Sequence, residues 1–201
     1  MKNKFSKNYD DLLEIYKNFH QEGTKWENAK ETFDGRSLKF FFNPIKQIIS
    51  TNKSQSLIDF GCGKGKFYFE KIKIQEIEYN NIAEFWNIND YYLYDPGVEK
   101  FKIYPKDKKD GVICVDVVEH ITPEDVEIFI ANLFDLANKF VFVVIACYPA
   151  TKTFPDGRNV HLSIKTPNEW RMVISKIIKK YPDISPFTIC AKGRQVFETI
   201  S

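Results

Sequence analysis

The sequence has no stretch approaching the roughly 18 consecutive apolar residues of a membrane-spanning helix, and its strongest apolar block, Phe140 to Cys147, has the length of a strand. An integral membrane protein is not expected. Cysteine is sparse: the four, at positions 62, 114, 147 and 190, form no C-x-x-C pair and no cluster. Neither a disulfide framework nor a zinc site is suggested, and no metal is expected. An excess of one charge is also missing, since 29 Lys and Arg against 27 Asp and Glu leave a net +2. The chain lacks the electrostatic footprint of many nucleic-acid binders, so a nucleic-acid partner is not expected. No internal repeat or low-complexity segment is evident, and the richest lysine stretch, Lys100 to Lys109, is broken by Phe101, Ile103, Tyr104 and Pro105. Lys2 and Lys4 are followed by Asn, Tyr and Asp rather than by an apolar run, which argues against a signal peptide and for a cytoplasmic location.

What is present suffices for one core. The 201 residues fall short of the roughly 250 to 300 at which chains split into separate cores, and 43% hydrophobic with 28% charged residues is a globular composition. Residues 1–201 therefore read as one domain, with a helical N-terminal extension over 1–52 and a core over 53–201. In the extension, Leu12, Leu13, Ile15, Tyr16 and Phe19 recur at helical spacing, and a second helix is expected from Leu38 to Ile49, capped by Ser37 and kinked or divided at Pro44.

From Ser56 the pattern changes to short apolar runs alternating with helical segments, the signature of an α/β domain on a mostly parallel sheet. Seven strands are expected: Leu57 to Phe60, Tyr91 to Tyr94, Lys102 to Tyr104, Gly111 to Val115, Phe140 to Ala146, Phe187 to Cys190 and Gln195 to Thr199. Gly193 between the last two suggests a hairpin, so that one strand runs antiparallel. Thr122-Pro123 and Thr166-Pro167 each read as a cap followed by proline in the first helical turn, the second with the capping-box spacing to Glu169.

The segment most informative about chemistry is LIDFGCGKGKF at 57–67, an apolar strand, the acid Asp59, and glycines at 61, 63 and 65 before a helix. Glycines there permit tight positive-φ turns and let backbone approach a ligand, and a helix N-terminus follows. A dinucleotide fingerprint wants G-x-G-x-x-G, whereas the spacing here is G-x-G-x-G. A purely structural strand-to-helix turn is the competing reading. Further on, YLYDPGV at 92–98 puts Asp95 at the end of a strand, where a carboxylate suits two neighbouring ribose hydroxyls; Asp-Pro-Gly is equally a turn sequence.

These segments together resemble the class I S-adenosylmethionine-dependent methyltransferases. DGVICVDVVEHI at 110–121 resembles the fourth strand and D-x-x-E-H segment of small-molecule members, and FVFVVIACYPA at 140–150 the fifth strand. TFDGRSLKFFFNPI resembles the lead-in of a bacterial and phage subgroup of unknown substrate. The resemblance implies a Rossmann-like methyltransferase fold with helices on both faces and S-adenosyl-L-methionine as cofactor. It implies cofactor contacts from Asp59, Gly61, Cys62, Gly63, Gly65, Asp95, Pro96 and Asp116, with Asp95 on the ribose hydroxyls, Asp59 toward the amine, and Asp116 between methionine moiety and substrate mouth. Asp95 follows the glycines at more than the roughly 20 residues of a compact βαβ unit, which implies an insertion around Glu76 to Asp90.

The long polar segment after the fifth strand, 147–170, holds Tyr148, Asp156, Arg158, Asn159 and His161. Loops at the carboxyl ends of strands collect active sites, so His161 is the first candidate for general base, followed by His120 and Asp116. Arg158 suits a substrate carboxylate or phosphate, or is an outward charge in a turn; Asn159 and Tyr148 lie beside it in sequence. His20, Trp26 and Phe33 are candidates to close over a cofactor and shape an acceptor pocket. The function expected is methyl transfer to a small polar acceptor at oxygen or nitrogen. The alternatives are an enzyme that consumes S-adenosylmethionine without methyl transfer, of lyase or hydrolase type, and a noncatalytic cofactor-binding module. No Asn/Asp-Pro-Pro-Tyr-like motif follows the fourth strand, which argues against DNA-base methylation.

Overall fold

A computed structural model describes residues 5–193 and 196–200. Its centre is a six-stranded sheet in the order β4-β1-β5-β6-β7-β8. The strands are β1 (Ser56–Phe60), β4 (Asp90–Tyr94), β5 (Lys109–Val115), β6 (Ala137–Ala146), β7 (Ser185–Gly193) and β8 (Val196–Thr199). Neighbours are parallel throughout except β7 and β8, which form the expected antiparallel hairpin. Gln195, placed in the last strand by the sequence, lies outside the described residues. A separate antiparallel ribbon joins β2 (Ile72–Ile74) to β3 (Ile77–Tyr79).

Alternation along the parallel strands sorts their side chains onto two faces. On one, Ile58, Val112, Val141 and Val143 pack with α5 (Val126–Asp135) and α6 (Pro167–Ile178), joined by Tyr9 of α1 (Lys7–Glu22). On the other, Leu57, Ile113, Phe142 and Val144 meet α2 (Phe42–Thr51) and α4 (Ile82–Trp86). This is the Rossmann-like α/β architecture with helices on both faces. The expected insertion is a packed element: α4 buries Ile82, Phe85 and Trp86, and the Trp86 indole N–H donates to the Phe42 carbonyl at 2.9 Å.

Local chemistry explains where elements begin. At α6 the Thr166 hydroxyl accepts from the Glu169 N–H while the Glu169 carboxylate accepts from the Thr166 N–H, the complete capping box. The Thr122-Pro123 start fails: α5 begins only at Val126, because the Asp125 carboxylate accepts from Ser6 N–H and hydroxyl and from the Thr122 hydroxyl. That carboxylate anchors the start of α1, and residues 122–125 are spent on a turn. Leu38 to Ile49 divides into a 3-10 turn, Arg36–Phe41, entered through Gly35 rather than Ser37, and α2, which carries Pro44 in its first turn. Lys102 to Tyr104 is no strand: Ile103 is exposed, and the segment leads from a 3-10 turn, Glu99–Phe101, toward Pro105. No helix among the described residues is long and apolar enough to cross a membrane.

Candidate active site

The chain leaves β1 toward β4 on one side and leaves β5 toward β6 on the other, so the crevice at the carboxyl ends of β1 and β5 is a topological switch point. Open α/β sheets place ligands there. Gly61, Asp95, Asp116 and Cys147 each stand one residue past the end of a strand along this edge. A cavity of about 680 Å³ opens above them, roofed by α1 and by the strap of residues 33–38.

The glycine loop is shaped by what it packs against. Gly63 has φ 56°, and a Cβ there would sit 2.1 Å from the Phe33 carbonyl oxygen. Gly61, at φ 84°, would drive a Cβ to 2.4 Å from Val117. Only glycine fits both positions. The loop's amides are all engaged inside the protein: Gly61 and Cys62 N–H donate to the Tyr94 carbonyl, Gly63 to the Asp95 carboxylate, Lys64 to Phe33, Gly65 to Cys62 and Lys66 to Asp34. A pyrophosphate would need such donors free, whereas a cationic amine needs acceptors, and Asp59 supplies one.

Asp95 is the organiser of this half. Its carboxylate accepts from Gly63 N–H and Gly97 N–H, each at 2.9 Å, with the His20 Nε2 at 3.7 Å. An ionised carboxylate has about four acceptor sites, so the two amides leave about two unused in a residue that lines the cavity. Burial pushes the Asp95 carboxyl up to about 6, against the pull of the two amides and of Lys64. Burial likewise raises Asp59 to about 7, opposed by the Tyr68 phenol and reinforced by Asp95. His20 is lowered to about 4 by burial and by Lys64, which leaves it neutral.

Across the cavity stand Asp116, Glu119, His120 and His161. Asp116 has φ 55°, a left-handed conformation uncommon outside glycine and best tolerated by Asn and Asp. Burial raises its carboxyl, and Ser37 and His161 pull it back down. Glu119 sits in the 3-10 turn Val118–His120 with no surface exposed; burial and then Asp116 push its carboxyl well above the usual range. Its Oε1 accepts from the Ala146 N–H at 3.0 Å, and its Oε2 has no partner. His161 Nδ1 lies 2.6 Å from the Tyr148 carbonyl oxygen, and His120 Nδ1 lies 3.0 Å from that of Val160 and 2.8 Å from the Tyr16 hydroxyl. A carbonyl has no proton to give, so the His161 Nδ1 carries one and its Nε2 keeps a lone pair; the His120 ring does the same when its Nδ1–H donates to Val160. The two rings meet edge to face with centroids 4.8 Å apart.

The fold brings to this cavity Asp59, Gly61, Cys62, Gly63, Asp95, Pro96, Asp116, His20, His120, Tyr148 and His161. It leaves out four sequence candidates. Gly65 caps α3 (Lys66–Phe69) behind the loop, near Leu93. Trp26 is exposed, and Arg158 points outward in an ion pair with Asp156 at 2.7 Å. Asn159 ties the loop instead, its Oδ1 accepting from Ala150 and His161 N–H and its Nδ2 donating to the Ala150 carbonyl. Sequence reasoning missed Tyr16, the Asp34 to Ser37 part of the strap, and Glu119 as a site residue. The available signal was Asp34-Gly35-Arg36, a turn within an otherwise apolar and aromatic stretch. Here Asp34 accepts from both the backbone and the guanidinium of Arg36, each at 2.9 Å.

No protein-family model matches the sequence, and no curated protein does either. Among solved structures the chain is similar to magnesium protoporphyrin IX methyltransferase (ChlM) from Synechocystis PCC 6803 with bound SAH. The TM-score is 0.49 and the identity 14%, over 95% of this chain and 93% of that one.

Proposed function

We propose that this chain binds S-adenosylmethionine at the switch point and transfers its methyl group to a small polar acceptor, at oxygen or nitrogen. The observation that carries the reading is the Asp95 carboxylate, held at the mouth of the crevice by Gly63 and Gly97 with acceptor sites to spare, beside a glycine loop whose amides are all engaged. That is an acceptor-rich site, suited to ribose hydroxyls and an amine and unsuited to a pyrophosphate. The cavity, about 680 Å³, lies within the roughly 300 to 1,000 Å³ of small-molecule sites.

When bound, the cofactor supplies a methyl group already activated by a sulfonium. The chain then has to bind, align and exclude water. Asp95 and Gly63 hold the ribose end, and Asp59 orients the amine. His20, Phe33 and Tyr16 roof the cavity, and Asp116 and His161 stand on the far side, where an acceptor's proton has to leave. Burial lowers His161, with the Tyr148 carbonyl and Asp116 opposing, which favours its neutral, proton-accepting form.

Calorimetric titration with S-adenosylmethionine, S-adenosylhomocysteine and NADH tests this, followed by mass spectrometry of the incubated cofactor. Binding of both adenosyl ligands, weak or absent NADH binding and an intact cofactor are expected. Breakdown of the cofactor without an acceptor would move the function to a lyase or hydrolase, and a folded protein that binds neither adenosyl ligand would overturn the assignment.

A further inference from the structure

The far side of the cavity holds more than a proton acceptor requires. One ligand-type atom from each of Glu119, His120 and His161 lies within 4.8 Å of the others. Each imidazole sets its Nδ1 against a backbone carbonyl, Val160 for His120 and Tyr148 for His161, the arrangement in which Nδ1–H donates to the carbonyl and Nε2 is left to bind a metal. The third donor has the strongest reason to want a partner. Glu119 Oε2 is one of four buried side-chain atoms without a hydrogen bond among the described residues, and the only carboxylate oxygen among them. Buried as it is, this carboxyl can stay ionised only with a cation or hydrogen-bond donors beside it. Its other oxygen is taken by Ala146 N–H, which leaves Oε2 as the oxygen without a partner. Asp116 adds a second, half-buried carboxylate on the same side of the cavity, and no Lys or Arg forms an ion pair with either acid among the described residues.

From this donor set we propose that Glu119, His120 and His161 bind a divalent first-row transition cation, with coordination positions left open toward the cavity. Two imidazoles and one carboxylate suit zinc, iron, cobalt or manganese better than the all-oxygen ions calcium and magnesium. The site goes beyond methyl transfer and does not rest on it, because it is read from the donors alone. With a cation in place His161 is a ligand rather than a base. A hydroxyl or phenol oxygen in an open position is then held beside the cofactor half of the cavity and made more acidic by the metal. No ligand spacing marks these residues as a set, because Glu119 and His120 are adjacent and His161 comes from the loop beyond the next strand.

The test uses tag-free, chelator-treated and dialysed protein, titrated with Co²⁺ under visible absorption and with Zn²⁺, Mn²⁺ and Mg²⁺ by calorimetry. One equivalent of Co²⁺ per chain with a ligand-field spectrum is expected, and weaker binding of Mg²⁺. Glu119→Gln and His161→Ala should each weaken Co²⁺ binding by at least about 100-fold, the upper range for losing even a supporting contact at a metal site. Circular dichroism and melting establish that each variant is folded. Wild-type protein that binds Co²⁺ no better than a folded Glu119→Gln, or a folded His161→Ala that binds with wild-type affinity, overturns the site. Tighter binding of Mg²⁺ than of Co²⁺ and Zn²⁺ overturns the class of ion.

Discussion

The two halves of the cavity are built on opposite plans. The half we assign to the cofactor is made by consecutive residues, Asp59 to Gly65 in one loop and Asp95 to Gly97 in another, with the glycine loop's amides already hydrogen-bonded and the Asp95 carboxylate joining the two loops. The far half is made by convergence, Glu119-His120 meeting His161 across the sheet edge, and it keeps an unpartnered oxygen. A self-satisfied site binds by shape and a few spare acceptors, whereas a site with a buried, unpartnered oxygen gains from a ligand that satisfies it. The first plan is visible in sequence. The second appears only when distant segments fold together.

Substitutions sharpen this contrast by failing in different ways. The largest effect is expected at Asp95→Ala, which on the proposed reading removes two charge-assisted hydrogen bonds to a ribose. Each such bond contributes about 1.5 to 3 kcal/mol, so affinity for S-adenosylhomocysteine should fall about 100-fold or more by calorimetry. Gly63→Ala comes next. At φ 56° with the Phe33 carbonyl in the way, it should lower stability by at least about 1 to 3 kcal/mol in denaturant melts and displace the strap with it.

Acid should act on the cofactor half through Asp95. Its carboxyl titrates near 6 and accepts ribose hydroxyls fully only when ionised, so affinity should fall as pH drops through about 6, by up to tenfold per unit. His20, titrating near 4, stays neutral over that window. A titration series from neutral to acid, repeated on Asp95→Asn, should lose the step near 6 in the variant. Any fall nearer pH 7 belongs to Asp59 and should persist. Arg158→Ala should leave ligand binding unchanged and cost stability no more than about 1 kcal/mol, since its guanidinium is exposed, pairs with Asp156 and otherwise only covers the Phe154 ring at 5.6 Å among the described residues. A loss of binding there would break the outline of the far half.

Much of the glycine-loop half, and of the fold around it, was legible beforehand because local rules decide it. A glycine that must turn, an acid at a strand end, and the Thr166 capping box each answer to neighbours within a few residues. Thr122 misled because the Asp125 carboxylate is claimed by Ser6, more than a hundred positions away, and nothing local announces that claim. Arg158 and Asn159 looked functional on a polar loop, yet one pairs outward and the other spends its amide on Ala150 and His161. Glycines 61 and 63 were read as room for a ligand, and the structure adds a second reason, the close approach of Val117 and of the strap. The cysteine spacing gave no metal signal, and none was available from it, because the candidate ligands are a glutamate and two histidines.

The most direct test compares two ligands on two variants: S-adenosylhomocysteine and Co²⁺ titrated into Asp95→Ala and Glu119→Gln, beside the wild-type chain. The expected result is a double separation, with Asp95→Ala losing the adenosyl ligand while keeping Co²⁺, and Glu119→Gln losing Co²⁺ while keeping the adenosyl ligand. Asp95→Ala that binds S-adenosylhomocysteine as tightly as the wild type would contradict the cofactor half, and Glu119→Gln that binds Co²⁺ undiminished would contradict the other.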